Sequence, residues 1–291
     1  DSIGGNIRVG KSEYFVTEAC EYTNSYHAFK PFISIILNVD ADHLDFFKDI
    51  DEIAESFHVF ATKTPKEGLV IVNGDMKYYD TVVRDLECRV VTFGKGAQNK
   101  YSAHNIRFDD FGHPTYTLVV DGKEITDITL KVFGEHNVYN SLSAIAASLE
   151  LGISIDVIKQ GLSECVGAER RFEYKGTILD NVRVMEDYAP HPTEIAATLK
   201  AAKNTSYNEL WCVFQPHTYS RTYALFDEFV DALKVCDHVI VADIYAAREK
   251  DTGLVSAKQL AEKIAETGTD AFYLPSFDDI ENYLLKNCKK N

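Results

Sequence analysis

Polar residues gather at the ends of apolar, strand-like runs, and their types suit the handling of phosphate, metal and carboxylate. Glu18 and Glu21 lie at the end of the first run, Ser12–Glu18 (SEYFVTE), and Asn38–Asp45 (NVDADHLD) follows the second. Glu186–Glu194 (EDYAPHPTE), Gln215–Thr222 (QPHTYSRT) and Asp243–Glu249 (DIYAARE) follow three later ones. In open α/β sheets, ligands bind beyond the carboxyl ends of strands. His43, His191 and His217 stand at three such ends, which favours a site over three separate structural rings. Asp40–Asp45 places three carboxylates and an imidazole in six residues. It is no EF-hand loop, because its sixth position is Asp45 rather than glycine. Three carboxylates on one short turn cannot all face one ion. The expected arrangement is Mg²⁺ held by one ligand from this turn plus Glu18, with phosphate and water completing the shell. Thr193 and Ser220 read equally well as helix caps or as site residues.

One motif invites a false reading. Gly5–Ser12 (GNIRVGKS) matches G-x-x-x-x-G-K-[ST] letter for letter. A phosphate loop needs a strand before it and a helix after it, so that backbone N–H groups cradle the anion. Only four residues precede this stretch, and Glu13–Thr17 (EYFVT) is β-branched and aromatic. The expectation is a coincidental match within a hairpin, Asn6–Val9 against Glu13–Val16 across Gly10-Lys11. The rival is a nucleotide-binding module without catalysis that uses the loop in earnest. A metal-dependent phosphohydrolase is weaker, for want of a lysine partner to an Asp-x-Asp nucleophile.

The elements that must position these residues follow from periodicity. Ser12–Glu18 reads as a strand, and the apolar run Phe32–Val39 as a strand buried on both faces. Asp51–Lys63 reads as a helix with Asp49 or Asp51 as N-cap, Gly68–Asn73 as a buried strand, Met76–Leu86 as a helix and Cys88–Phe93 as a strand. Residues 101–132 alternate between turn signals, Asp121-Gly122 the strongest, and read as an antiparallel meander. Helices follow at Asn137–Leu151 and Ser154–Cys165. Beyond Gly167 come four βα units, with strands at Val182–Met185, Leu210–Phe214, His238–Ala242 and Ala271–Leu274. Their helices are Pro192–Lys203, Arg221–Leu233, Ser256–Glu266 and Asp279–Lys286. That rhythm predicts a doubly wound, mainly parallel sheet. With 291 residues, two domains are expected, 1–166 and 167–291. Arg170-Arg171-Phe172 lies at that boundary, where an arginine is well placed to reach phosphate and Phe172 to pack.

Charge narrows the partners. Thirty basic against 45 acidic residues leave −15, which repels nucleic acid and anionic lipid. An anionic ligand must therefore be met by local cations or Mg²⁺. No run of 18 apolar residues predicts a membrane span. Six cysteines without metal-ligand spacing point to a reducing, cytoplasmic setting.

Seven stretches, in order, carry a resemblance: TEACEYTNSY (17–26), LNVDADHLDFF (37–47), GEHNVYNSLSAIA (134–146), GAERRFE (167–173), EDYAPHPTEIAATLKAA (186–202), VFQPHTYSRTYALFDEF (213–229) and DIYAARE (243–249). Together they resemble the Mur ligase family, in wording nearest its alanine-adding member. The resemblance implies the later part of a central ATP-binding α/β domain with an antiparallel meander, then a Rossmann-like C-terminal domain that brings the amino acid. It implies that the chain starts after the family's true phosphate loop and lacks the N-terminal UDP-sugar domain, so that the chain alone is expected to be inactive. It implies an ATP-dependent carboxylate–amine ligase of peptidoglycan synthesis, with ATP and Mg²⁺ as cofactors and UDP-N-acetylmuramate and L-alanine as substrates. A related ligase that recycles preformed muropeptide is the alternative within the family.

Carried over by position, Glu18 and His43 resemble the Mg²⁺ ligands, and Asn137 and Asn140 the asparagines at the adenine end of ATP. Arg171 and Asp187 resemble the pair that completes the nucleotide site. Tyr188, His191, His217 and Arg221 resemble the wall facing the amino acid and the muramoyl carboxylate. The implied catalytic groups are His43, Arg171 and Arg221. Pro190 stands where many members have histidine, and Thr218 where some have arginine.

Overall fold

The helix Ile50–Ala61 (α1) begins where Asp49 can cap it. Asp49 sits in extended backbone, and its carboxylate accepts the Glu52 N–H at 3.0 Å. That bond satisfies one donor which the first turn leaves without an intrahelical partner. Ile53, Phe60 and Ala61 lie on the inner face and are buried.

The computed structural model describes residues 7–44, 46–251 and 253–288. It divides into two units, residues 1–72 with 76–90, and residues 73–75 with 91–291. In the first unit, α1 connects the parallel strands β1 (Ile33–Ile36) and β2 (Leu69–Asn73), with Ile33 opposite Leu69 and Ile36 opposite Val72. A short helix, α2 (Tyr79–Val83), stands where a longer one was expected over Met76–Leu86. A 3-10 turn, Tyr22–Ala28, is pinned to α1. The Tyr26 hydroxyl meets Ser56 Oγ at 2.8 Å, and its ring stacks on Phe60 at 4.7 Å. Tyr26, Ile36, Phe60, Val70, Val72 and Val82 share one apolar cluster.

The expected strand over Ser12–Glu18 is absent. The described residues 7–21 carry no strand, and Phe15 and Val16 are 84% and 92% exposed. A β-prone stretch forms a strand only when another edge takes its backbone bonds, and here none does among the described residues. The expected hairpin fails with it, although Asn6 and Gly5 lie outside the described residues. No helix follows Lys11-Ser12, so the element a phosphate loop requires is missing there.

In the second unit, β3 (Arg89–Gly94) runs parallel to β4 (Tyr101–Phe108), and β5 (Pro114–Val120) and β6 (Lys123–Thr129) complete the expected antiparallel meander. Asp121 and Gly122 have φ of 49° and 74°, the left-handed pair that a two-residue hairpin turn demands. Helix α3 (Glu135–Glu150) buries Val138, Leu142 and Ile145 completely. The fully buried Tyr116 of β5 meets Ser141 of α3 at 2.6 Å. Helix α4 (Ile155–Glu164) follows.

Next come β7 (Glu173–Ile178), β8 (Val182–Glu186), α5 (Pro192–Lys203), β9 (Trp211–Phe214), α6 (Tyr219–Ala224) and α7 (Phe226–Leu233). β10 (His238–Val241), α8 (Ala257–Ala265), β11 (Asp270–Tyr273) and α9 (Phe277–Asn287) end the described chain. The parallel sheet has the order β11-β10-β9. It covers three of the four expected βα units. The first expected strand, β8, instead pairs antiparallel with β7. That hairpin turns through Leu179 and Asp180 at φ of 50° and 72°, a left-handed turn that no glycine advertises. The helix expected over Arg221–Leu233 breaks into α6 and α7 at Leu225, whose φ and ψ are −115° and 30°.

Among the described residues, no helix is long and apolar enough to cross a membrane, and the six cysteines are free thiols.

Candidate functional site

In the first unit, the turn after β1 holds His43 at φ 54°. Its backbone N–H donates to the Asp42 carboxylate at 2.7 Å, and its carbonyl accepts from Phe46 and Phe47. The ring lies 4.6 Å from that of Tyr22, and Nε2 is 3.3 Å from Glu21 Oε1 and 3.8 Å from Asp42 Oδ2. His43 thus meets Glu21, not Glu18. The Glu18 carboxylate is exposed and makes no hydrogen bond or ion pair among the described residues. Asp45 lies outside the described residues. Among those described, no three His, Cys, Asp or Glu side chains converge as a metal cage. A solvent-facing carboxylate and an imidazole from a later turn fit Mg²⁺ only as a partial shell, which is the way this ion binds when phosphate and water supply the rest.

In the second unit, the start of α3 presents amides and an imidazole. Gly134 precedes it at φ 84°, and a side chain there would collide with the His136 ring and with Ala201 of α5. Asn137 donates to the Phe133 carbonyl at 2.8 Å, and Asn140 donates to Asn137 Oδ1 at 3.0 Å. The two asparagines therefore form one chain on one helix face, as their i, i+3 spacing predicts. Such amides can read the edge of a heterocyclic base. The sequence reading passed over two neighbours. His136 touches Asn137 Nδ2 at 3.1 Å, and its pKa lies below the ordinary histidine value. The surrounding protein disfavours the imidazolium, Asp187 pulls the other way, and Lys200 adds to the lowering. Glu135 receives Lys200 Nζ at 2.5 Å and the Tyr139 hydroxyl at 3.0 Å, with Lys95 Nζ at 3.6 Å. A Gly-Glu-His-Asn run at a helix start was the available signal, but its partners are remote in sequence.

The boundary arginines surround Tyr188. Arg171 Nη1 donates to the Tyr188 carbonyl at 2.9 Å and lies 3.4 Å from Glu194. The Arg170 guanidinium sits 5.1 Å from the Tyr188 ring centroid, while the Arg170 carbonyl accepts the Tyr188 N–H at 2.7 Å. Arg170 and Phe172 both have positive φ, and Phe172 packs edge-on against Phe133 at 5.3 Å. Asp187 accepts the Thr198 hydroxyl and lines a cavity of about 760 Å³ together with Phe172, Thr198 and Trp211.

His191 corrects the expected cap of α5. The N-cap is His191 itself, not Thr193. Its Nδ1 accepts the Thr193 N–H at 3.2 Å, and Glu194 accepts the His191 N–H at 3.2 Å. With Nδ1 accepting, the neutral ring carries its proton on Nε2. The α6 cap is likewise Thr218 rather than Ser220. His217 Nδ1 lies 3.4 Å from Arg221 Nη1, and its ring is 5.6 Å from that of Tyr245. Desolvation, then the Arg221 charge, holds His217 below its ordinary pKa, against an opposing pull from Glu249. A neutral imidazole beside a guanidinium suits an anionic, carboxylate-bearing ligand.

Comparison with known proteins covers nearly the whole chain. The family profile for the Mur ligase middle domain matches residues 5–148, and that for the Mur ligase, glutamate ligase domain matches residues 170–291. The UDP-N-acetylmuramate–L-alanine ligase of Lachnospira eligens is 53% identical over 289 residues, which are 99% of this chain and 63% of that protein. Its namesake from Acetivibrio thermocellus is 49% identical over 99% of this chain and 61% of its own length. The crystal structure of UDP-N-acetylmuramate–alanine ligase from Thermotoga maritima matches with a TM-score of 0.71 at 26% identity, covering 89% of this chain and 54% of that one. The chain thus spans 61–63% of the length of these two curated relatives.

Proposed function

The chain belongs to the Mur ligase family, and from that premise we propose that it forms the ATP-binding and amino-acid-binding parts of a cytoplasmic ligase of peptidoglycan synthesis. The reaction joins L-alanine to the carboxylate of UDP-N-acetylmuramate. Residues 1–166 belong to the central domain and 167–291 to the amino-acid-binding domain. The observation that carries the reading is the likeness, over 99% of this chain, to relatives that bear the name UDP-N-acetylmuramate–L-alanine ligase.

The chemistry has two steps. The substrate carboxylate oxygen attacks the γ-phosphorus of ATP, the bond to the bridging oxygen breaks, and ADP leaves. The amine nitrogen of alanine then attacks the acyl phosphate carbon, loses a proton, and orthophosphate leaves. A free carboxylate lacks a leaving group, and phosphorylation supplies one. Negative oxygens crowd together in both steps, so fixed cations lower both barriers. Arg171 and Arg221 supply guanidinium charge in forked geometry. Asn137 and Asn140 hold the base, and Asp187 completes the nucleotide site. Tyr188, His191, His217 and Arg221 face the amino acid and the muramoyl carboxylate. Glu18 and His43 would hold Mg²⁺, which when bound would neutralise phosphate charge.

The test uses the complete gene product with ATP, Mg²⁺, UDP-N-acetylmuramate and L-alanine. Alanine-dependent orthophosphate release and an amide product are expected, with little product when a preformed tripeptide replaces alanine. No alanine-dependent product, or a preference for tripeptide, would refute the reading.

A further inference from the structure

Thr218 adopts φ 68° and ψ 146°, a backbone region that belongs to glycine and that a β-branched residue enters only under constraint. It follows His217 directly and caps the helix that carries Arg221. Such a conformation persists where the surroundings over-determine it. Here the surroundings are a second loop, residues 243–249. The Thr218 N–H donates to the Tyr245 carbonyl at 2.9 Å, and the Tyr245 N–H donates to the Pro216 carbonyl at 2.8 Å. This reciprocal pair brackets His217, which bridges to Tyr245. On the other side, the Thr222 hydroxyl donates to the Thr218 carbonyl at 2.6 Å.

Glu249 closes the far end. One carboxylate oxygen accepts the Ser220 N–H at 2.9 Å, and the other accepts the Ser220 hydroxyl. Ala247, at φ 52°, and a turn in which the Glu249 N–H donates to the Ala246 carbonyl fold this end of the loop. First-turn N–H groups usually find a partner beside them in sequence. Ser220 finds one from another loop, and that partner also exerts an electrostatic pull on His217 opposite to that of Arg221.

We propose that Glu249 is a positioning residue: by clamping Ser220 it sets the start of α6, and with it the direction in which His217 and Arg221 face. The substrate these two receive rests on the ligase reading above; the clamp itself does not.

Two variants test it, Glu249→Gln, which keeps the shape and removes the charge, and Glu249→Ala, which removes both. In the chain itself, the His217 imidazole titration is followed by NMR, with Ser220 amide exchange measured beside it. The expected result is a His217 midpoint at lower pH in both variants, because Arg221 then acts without the opposing carboxylate, and Ser220 exchange at least tenfold faster in Glu249→Ala. In the complete gene product, KM for one of the two carboxylate substrates should rise at least tenfold while KM for ATP stays within twofold. An unchanged His217 midpoint and unchanged Ser220 protection in folded variants would overturn the proposal, as would a parallel rise in KM for ATP. If the parent gene product makes no amide, the ligase reading falls, while the titration and exchange still judge the clamp.

Discussion

The contact between Tyr116 and Ser141 ties the meander to the helix that presents Asn137 and Asn140, and its two partners are not equivalent. The Tyr116 side chain is fully buried, and its hydroxyl meets Ser141 Oγ at 2.6 Å. Ser141 Oγ also donates to the Val138 carbonyl at 2.6 Å. Burial pushes the phenol pKa far above the ordinary tyrosine range, so the hydroxyl stays a neutral donor throughout physiological pH. Ser141→Ala leaves that buried hydroxyl without its partner, at a cost of about 1–3 kcal/mol. Tyr116→Phe leaves Ser141 still bonded to Val138, and the loss is about 0.5–1.5 kcal/mol. In the double variant the stranded hydroxyl is gone, so the serine change should cost about 1 kcal/mol less than it does alone. Urea unfolding of the four proteins measures this, provided the denaturant slope is unchanged. Additivity within about 0.3 kcal/mol, or a larger loss from Tyr116→Phe than from Ser141→Ala, would refute the reasoning.

Three further outcomes follow from the same contacts. Lys200 holds the Glu135 carboxyl below its ordinary value of 4.5, so the ionised form favours the folded state; that stability is complete above about pH 4.5 and disappears as pH falls through the lower folded value. Glu135→Gln should therefore cost stability at pH 7, by about 1 kcal/mol at most because Lys200 is 62% exposed, and cost progressively less as pH falls below 4.5; a loss that does not shrink with falling pH contradicts this. Phe229 is fully buried and rests 5.3 Å from the Phe214 ring in the core beneath the parallel sheet, so Phe229→Ala should cost about 3–5 kcal/mol by denaturant unfolding, and a loss under about 1 kcal/mol would deny that packing. Thr218→Gly should leave stability within about 1 kcal/mol of the parent or raise it, since glycine enters that backbone region without strain; a melting-point loss equivalent to more than about 2 kcal/mol would show that Thr218 is not strained.

Signals that act over a few residues were legible in advance. Asp49 before an apolar-periodic stretch caps α1, Asp121-Gly122 makes the hairpin turn, and Val138, Leu142 and Ile145 line the buried face of α3. The i, i+3 asparagines of α3 meet as their spacing requires. The misread elements depend on partners elsewhere. Ser12–Glu18 has strand-forming residues but no bonded edge among the described residues, and β8 lies against β7, which reads poorly as a strand because EYKGTI mixes charge and glycine.

By itself, the sequence determined which chemistry is available: carboxylates, imidazoles, amides and guanidiniums at element ends, in an order that resembles one ligase family. Periodicity and capping also determined most helices, because those forces act within one or two turns. Only the tertiary structure decided what each group does. It made His191 a helix cap, turned His43 toward Glu21, and joined Glu135 to Lys200 across 65 positions and Glu249 to Ser220 across 29. Such pairings depend on strand register and helix packing, which accumulate along the whole chain and leave no mark at the residues themselves.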